Sequence, residues 1–276
     1  MKLSIQQTFT GFAFISLIAL QSSSASVLIS DFEPPTYTNN ATFIGVDFWA
    51  TPFGGTPPEF KVTPDTDGGS NFVIAGTQSA VVQSSGFAYK SFANAGVTST
   101  DMGGVSWLQG GAATLRDDGA IQGIYIAEAL NGLTPFGIFG RNVGGDVNIW
   151  VLGGNPGAFF DTGIEYVTGG GASALDQVYE FSLTFDFTAS QMSAWYRDVT
   201  GGGSMTSLFA PLDFNPLLTS SVLASDYGVL LRNFNVSAAG FDNIAVIPEP
   251  STGVLLCLGG ALGMAFGKRS RRRSLA

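Results

Sequence analysis

Histidine is absent from this 276-residue chain, and cysteine occurs once, at Cys257. Without an imidazole no Ser-His-Asp or Cys-His arrangement can be assembled, and the usual zinc sites lose their commonest ligand. A lone cysteine closes no disulfide within the chain, so the core is held by packing; an oxidising compartment permits disulfides without requiring them, and their lack does not argue against export. Basic residues are scarce too. Between residues 26 and 247, counting gives 20 Asp and Glu against 6 Lys and Arg (Lys61, Lys90, Arg116, Arg141, Arg197 and Arg232), a net charge near −14. Such a surface repels nucleic acid and anionic lipid, so no nucleic-acid partner is expected.

Helical periodicity is weak throughout, whereas the 37 glycines recur between short runs of Val, Ile, Phe, Trp and Tyr. That pattern belongs to many strands joined by tight turns. The clearest strand is Val178–Phe187, where Tyr179, Phe181, Leu183, Phe185 and Phe187 alternate with Glu180, Ser182, Thr184 and Asp186, giving one apolar face for a core and one polar face for water. Thr188-Ala189-Ser190 turns the chain into a second strand, Met192–Val199, making an antiparallel hairpin. Further strands are expected over Val27–Phe32, Thr42–Ala50, Phe72–Gly76, Ser79–Gln83, Phe87–Phe92, Ala120–Ala129, Asp146–Leu152, Val229–Val236 and Phe241–Val246. About a dozen strands without helices imply an all-β domain over residues 26–246, a two-sheet antiparallel β-sandwich. Its opening Ser30-Asp31-Phe32-Glu33, its long alternating strand beside a Trp-Tyr strand and its closing Phe241-Asp242-Asn243-Ile244 resemble the concanavalin-like or LamG-like jelly roll.

Both ends read as targeting segments. Lys2, the apolar run Phe12–Leu20 and the small residues Ser23-Ser24-Ala25 have the order of a secretory signal over residues 1–25, with cleavage between Ala25 and Ser26. At the other end, residues 247–276 hold Pro248-Glu249-Pro250-Ser251-Thr252, an apolar stretch, and the basic tail Lys268, Arg269, Arg271, Arg272 and Arg273. The prolines disfavour helix before them and Ser251 or Thr252 can cap a helix over 251–267. From Ser251 to Phe266 that transmembrane helix would be about 24 Å long, short of a hydrocarbon core of roughly 30 Å. The basic tail sets the C-terminus in the cytoplasm and the domain outside, the topology that the signal peptide also demands.

Proline-glutamate-proline, a short membrane helix and an arginine cluster, in that order, resemble the PEP-CTERM sorting signal. The resemblance implies recognition by an exosortase, a membrane-embedded cysteine protease and transpeptidase. It also implies transient residence in the inner membrane of a Gram-negative bacterium, then delivery to the cell surface or an extracellular polysaccharide matrix.

Within the domain, Asp65-Thr66-Asp67-Gly68-Gly69 puts two carboxylates one residue apart in a glycine turn, where Asp65 and Asp67 could hold calcium or simply be solvated. No other cofactor is expected. Of the tryptophans 49, 107, 150 and 195, Trp150 alternates with Ile149 and Val151 and so points outward, where its ring could stack on a sugar. Glycosidases use paired carboxylates; Glu180 and Asp186 share a strand face, but six residues put them about 20 Å apart. The expectation is therefore a non-enzymatic protein with a structural or adhesive role and exopolysaccharide as a candidate partner, against a lectin-like carbohydrate-binding module and a glycoside hydrolase or lyase.

Overall fold

The computed structural model describes residues 26–37, 42, 44–51, 60–64, 74–75, 78–83, 86–111, 118–128, 134–166, 177–234 and 238–248. Short β-branched and aromatic runs become strands, as their fit to a pleated surface favours: β1 (Val27–Ser30), β2 (Phe60–Pro64), β3 (Gln78–Gln83), β4 (Gly86–Ser91), β5 (Gly104–Gly111), β6 (Ile121–Glu128), β7 (Phe136–Val143) and β8 (Asp146–Gly153). They continue as β9 (Ala158–Glu165), β10 (Val178–Asp186), β11 (Gln191–Asp198), β12 (Thr206–Ser207), β13 (Leu212–Asp213), β14 (Tyr227–Phe234) and β15 (Ala238–Ile247). One short helix, α1 (Ser220–Asp226), is capped by the Thr219 hydroxyl, which accepts from the Val222 amide at 3.3 Å.

Two antiparallel sheets result. The larger runs β12-β11-β10-β5-β15-β3-β2, with β1 on β15 and β13 on β11; the smaller runs β4-β14-β6-β7-β8-β9. Their facing sides share one core, in which Trp107, Phe181, Leu183, Ile244 and Val246 of the larger sheet meet Ile124, Ile138, Val151, Val229 and Leu231 of the smaller. The all-β, two-sheet antiparallel sandwich is thus present.

Strand β10 shows why the alternation is informative. Tyr179, Phe181, Leu183 and Phe185 are buried, and the hairpin to β11 pairs Phe181 with Tyr196 and Asp186 with Gln191. Its other face is less open than expected. Ser182 is only 6% exposed, and Trp195 of β11 covers that side, its indole N–H donating to the Thr184 hydroxyl at 3.3 Å.

A polar bridge crosses the core between the sheets. Gln109 of β5 and Gln122 of β6 each donate an amide N–H to the Tyr166 hydroxyl, at 3.0 and 2.8 Å, while the Trp107 indole donates to Gln109 at 3.2 Å. Burial raises the Tyr166 phenol above its ordinary range, so it stays neutral and able to satisfy both amides. A second network lies beside β4. The buried Lys90 ammonium donates to the Ile29 carbonyl at 2.8 Å and pairs with Asp47; burial lowers its pKa, and Asp47 opposes that. The Tyr37 hydroxyl accepts from Ser30 and Trp49 and donates to Asp47 at 3.0 Å.

The expected strand over Thr42–Ala50 does not form. Gly45, Asp47 and Phe48 have φ of +85°, +48° and +64°, left-handed residues so closely spaced that they break any ladder, and Ala50 forms an isolated bridge to Tyr89. Of the expected strand Phe72–Gly76, residues 72, 73 and 76 lie outside the described residues, and 74–75 belong to no strand. Helix α1 corrects the expectation of a sandwich without helices. Residues Ser26–Glu249 form one compact unit. The expected signal segment 1–25 and transmembrane helix 251–267 lie outside the described residues; within these, no helix is long and apolar enough to cross a membrane.

Candidate functional site

The smaller sheet has a second apolar face, turned away from the sandwich core. Because side chains alternate along each strand, burying Ile124, Ile138, Ile149, Val151, Val229 and Leu231 against the larger sheet puts Tyr125, Phe139, Trp150, Leu152, Leu230 and Arg232 on the opposite side. Strand register lines these up in rows. One row reads Phe87, Arg232, Gly123, Phe139, Trp150 and Asp161 from β4 to β9. The next reads Tyr89, Leu230, Tyr125, Gly137, Leu152 and Phe159.

Two glycines shape this face. A methyl group on Gly123 would lie 2.3 Å from the Phe139 Cβ, and one on Gly137 would lie 2.9 Å from the Tyr125 ring. With those positions empty, Tyr125 and Phe139 lean over the glycines and stack on each other, ring centroids 5.1 Å apart at 14°.

Across the rings lie two arginines. The Arg141 guanidinium sits 4.9 Å from the Trp150 ring centroid and 5.4 Å from that of Phe159; the Arg232 guanidinium sits 5.3, 5.5 and 5.8 Å from Phe87, Tyr125 and Phe234. These are cation–π distances, and the arginine stems cover apolar surface. Neither arginine forms a salt bridge among the described residues. In contrast, Lys90 is taken by Asp47, and Arg197 by Glu180.

Several buried polar atoms on this face have no hydrogen-bond partner among the described residues: the Tyr89 and Tyr125 hydroxyls, the Trp150 indole N–H, and Nε of Arg141 and Arg232. Burial pushes the Tyr125 phenol up to about 12 although Arg232, and less strongly Arg141, pull it down. Burial, then Glu128, raises Tyr89 to about 12. Both are neutral donors at physiological pH. At the rim Phe159, Phe234 and Val143 are exposed by 50%, 37% and 41%.

Trp150 therefore stands where the alternation puts it, on the outward side of β8, but as half of an arginine–indole pair rather than as a bare platform. Trp49 and Trp107 are core residues, and Trp195 is half-buried on β11. Glu180, weighed for acid–base chemistry, is ion-paired with Arg197, while Asp186 accepts from the Ala189 amide in the turn. Ser26 begins the described residues and Pro248 ends them. Ala25, Asp65, Asp67, the motif residues Glu249, Pro250, Ser251 and Thr252, and the basic tail Lys268, Arg269, Arg271, Arg272 and Arg273 lie outside them. Among those described, no three His, Cys, Asp or Glu side chains are grouped to hold a metal ion.

The sequence reading missed Arg141, Arg232, Tyr125 and Phe159 as neighbours. The alternation in Phe139-Gly140-Arg141 carried a signal for β7, but its glycines read as turn residues.

No family model and no curated protein matches the chain. Solved structures of similar shape include the catalytic domain of a glycoside hydrolase family 131 protein from Coprinopsis cinerea, at 12% identity and TM-score 0.49, covering 81% of this chain and 95% of that one. A carbohydrate esterase from the Shiga toxin-encoding bacteriophage phi24B has 12% identity and TM-score 0.46, covering 82% and 99%. Lectin UEA-II, complexed with galactose, has 9% identity and TM-score 0.39, covering 82% and 97%. Enzymes stand among these neighbours beside the lectin, contrary to the expectation of a non-enzymatic protein. At this distance they assign no activity to the chain.

Proposed function

We propose that residues 26–246 are an exported, concanavalin-like jelly roll that binds saccharide on the outer face of its smaller sheet. The observation carrying this reading is one face that combines exposed rings, Phe159 and Phe234, with buried hydroxyl and N–H groups lacking partners among the described residues. Sugar rings offer apolar C–H faces for the former and hydroxyls for the latter. Affinity electrophoresis in gels containing a panel of neutral and acidic polysaccharides tests it. Retardation by at least one polymer is expected, and Phe159→Ala with Trp150→Ala should abolish it while leaving the melting temperature of the domain within a few degrees. Equal mobility in every gel would sink the reading.

The tail supports a second, separate reading, that of an exosortase substrate sorted to the cell surface or matrix through Pro248–Thr252. The support is the order of motif, apolar stretch and Lys268–Arg273. Changing Pro248, Glu249 and Pro250 together to Ala should leave export intact and trap unprocessed protein in the inner membrane. Peptides spanning Leu255 to Phe266 in the mature extracellular protein, found by mass spectrometry, would overturn it.

A further inference from the structure

Resting on that saccharide-binding reading, we infer that the ligand is acidic: a polysaccharide whose carboxylates are spaced along the chain and are held by Arg141 and Arg232. The first ground is how few cations the domain has and where they go. Of the four basic side chains described, Lys90 and Arg197 are neutralised by Asp47 and Glu180. The two without a carboxylate partner among the described residues stand on the same face, in a domain whose net charge is near −14 over residues 26–247. Unpaired arginines in so acidic a molecule leave two sites complementary to an anion.

Geometry supplies the second ground. Arg232 on β14 and Arg141 on β7 are two strands apart, and Arg232 is level with Phe139, two residues from Arg141. Strand spacing and rise then put their Cα atoms roughly 12 Å apart. The strand between them, β6, carries Tyr125 on the same face, 1% exposed and with its hydroxyl unpartnered among the described residues. Its unused donor, and the Nε–H groups of both arginines, point to a ligand rich in acceptors.

The third ground is what flanks the path. Asp146, Asp161 and Glu165 lie on the same face along β8 and β9. Those acids exclude a polymer charged at every short step, such as nucleic acid, and leave room for one whose charges meet the two arginines. Aromatic rings beside each arginine, Phe234 at Arg232 and Phe159 at Arg141, suit the sugar ring that carries each carboxylate.

The test uses the intact exported domain and three carboxylated polymers, polygalacturonate, hyaluronan and xanthan, each beside its carboxyl-reduced form, with single-stranded DNA as a further polyanion. Binding to at least one acidic form should weaken at least tenfold on carboxyl reduction and on raising the salt. Arg141→Gln and Arg232→Gln should each weaken it by about ten- to a hundredfold, as loss of a hydrogen bond to a charged group does. Arg→Lys at the same positions keeps the charge and the fold, and should recover part of the affinity. Equal binding to the reduced polymers overturns the acidic ligand and leaves the saccharide reading standing. Absence of binding to any polymer in either form overturns both, and DNA binding of equal strength overturns the inference by showing a general polyanion site.

Discussion

Single residues hold this sandwich together where it is least oily. Tyr166 accepts two amide donors in a core that excludes water, so removing its oxygen leaves one N–H of Gln122 and one of Gln109 without that acceptor, although Gln109 keeps its bond to the Gln122 carbonyl at 3.1 Å. Tyr166→Phe should lower the unfolding free energy by about 1–3 kcal/mol, read as a lower denaturant midpoint at unchanged slope; an unmoved midpoint would show that the bridge contributes nothing. Asp242 presents the opposite case, a carboxyl that would rather be neutral. Burial raises it from the ordinary 3.8 to about 7, against hydrogen bonds from Ser79, the Asn243 amide and the Ala75 amide, and Glu33 raises it a little more. A raised folded pKa means that the folded chain takes up a proton between about pH 4 and pH 7. Asp242 thus contributes stability that is fully present below pH 3.8 and lost as pH rises through about 7. Over that window the loss amounts to a few kcal/mol at about 1.4 per unit. Thermal melts of wild type and Asp242→Asn from about pH 4 to 8 should show a slope in the first that is missing from the second; parallel curves would refute the assignment.

At the scale of elements, what could be read from the sequence depended on how many faces of a strand are buried. Strand β10 meets a core on one side only, and its register was legible to the residue: Phe181 is fully buried and Asp186 is exposed. Phe181→Ala should accordingly cost about 3–5 kcal/mol, whereas Gln191, half-buried at the turn end of the hairpin with only a surface hydrogen bond to Asp213, should tolerate Ala within about 0.5 kcal/mol. Strands β5, β7 and β9 were not read, because Gly104, Gly110, Gly137, Gly140 and Gly163 interrupt their apolar runs and resemble turns. In the fold several of those glycines are where another group comes close. Gly140 is filled by the Tyr166 ring, 2.3 Å from where a Cβ would be, as Gly123 of β6 is by Phe139. Nothing local in the sequence announces such a cross-strand partner. The same blindness hid the candidate site, since Arg141 and Arg232 lie 91 positions apart by their numbering (232 − 141) and only strand pairing brings them to one face. Trp150 alone was legible, from its alternation with Ile149 and Val151. Gly123→Ala should destabilise the domain by at least about 1–3 kcal/mol, as overpacking does, and should blunt the proposed saccharide binding because Phe139 must move. A variant as stable and as competent as wild type would show that the glycine serves neither packing nor the face.

For the molecule as a whole, two absences set the conditions of stability. The unit Ser26–Glu249 contains no cysteine, and its charge is strongly one-signed, 20 acids against 6 bases over residues 26–247. Packing alone must therefore oppose both chain entropy and the mutual repulsion of the carboxylates. The core between the sheets is a single cluster to which both contribute, and the second cluster lies on the outer face of strands already packed in it, so neither sheet has a core of its own with which to unfold separately. A protein made of residues 26–249 should fold without the rest of the chain and unfold in one cooperative step, with tryptophan fluorescence and far-ultraviolet circular dichroism giving coincident transitions. Reductant should not shift the midpoint. Salt should raise it between about 0.01 and 0.15 M, where the screening length shortens from about 30 to 8 Å, because repulsion among acids outweighs the ion pairs of Lys90 and Arg197 that screening weakens. Two separated transitions would divide the sandwich into independent halves. A midpoint that falls on adding salt would mean that attractive pairs, not repulsion, dominate its electrostatics.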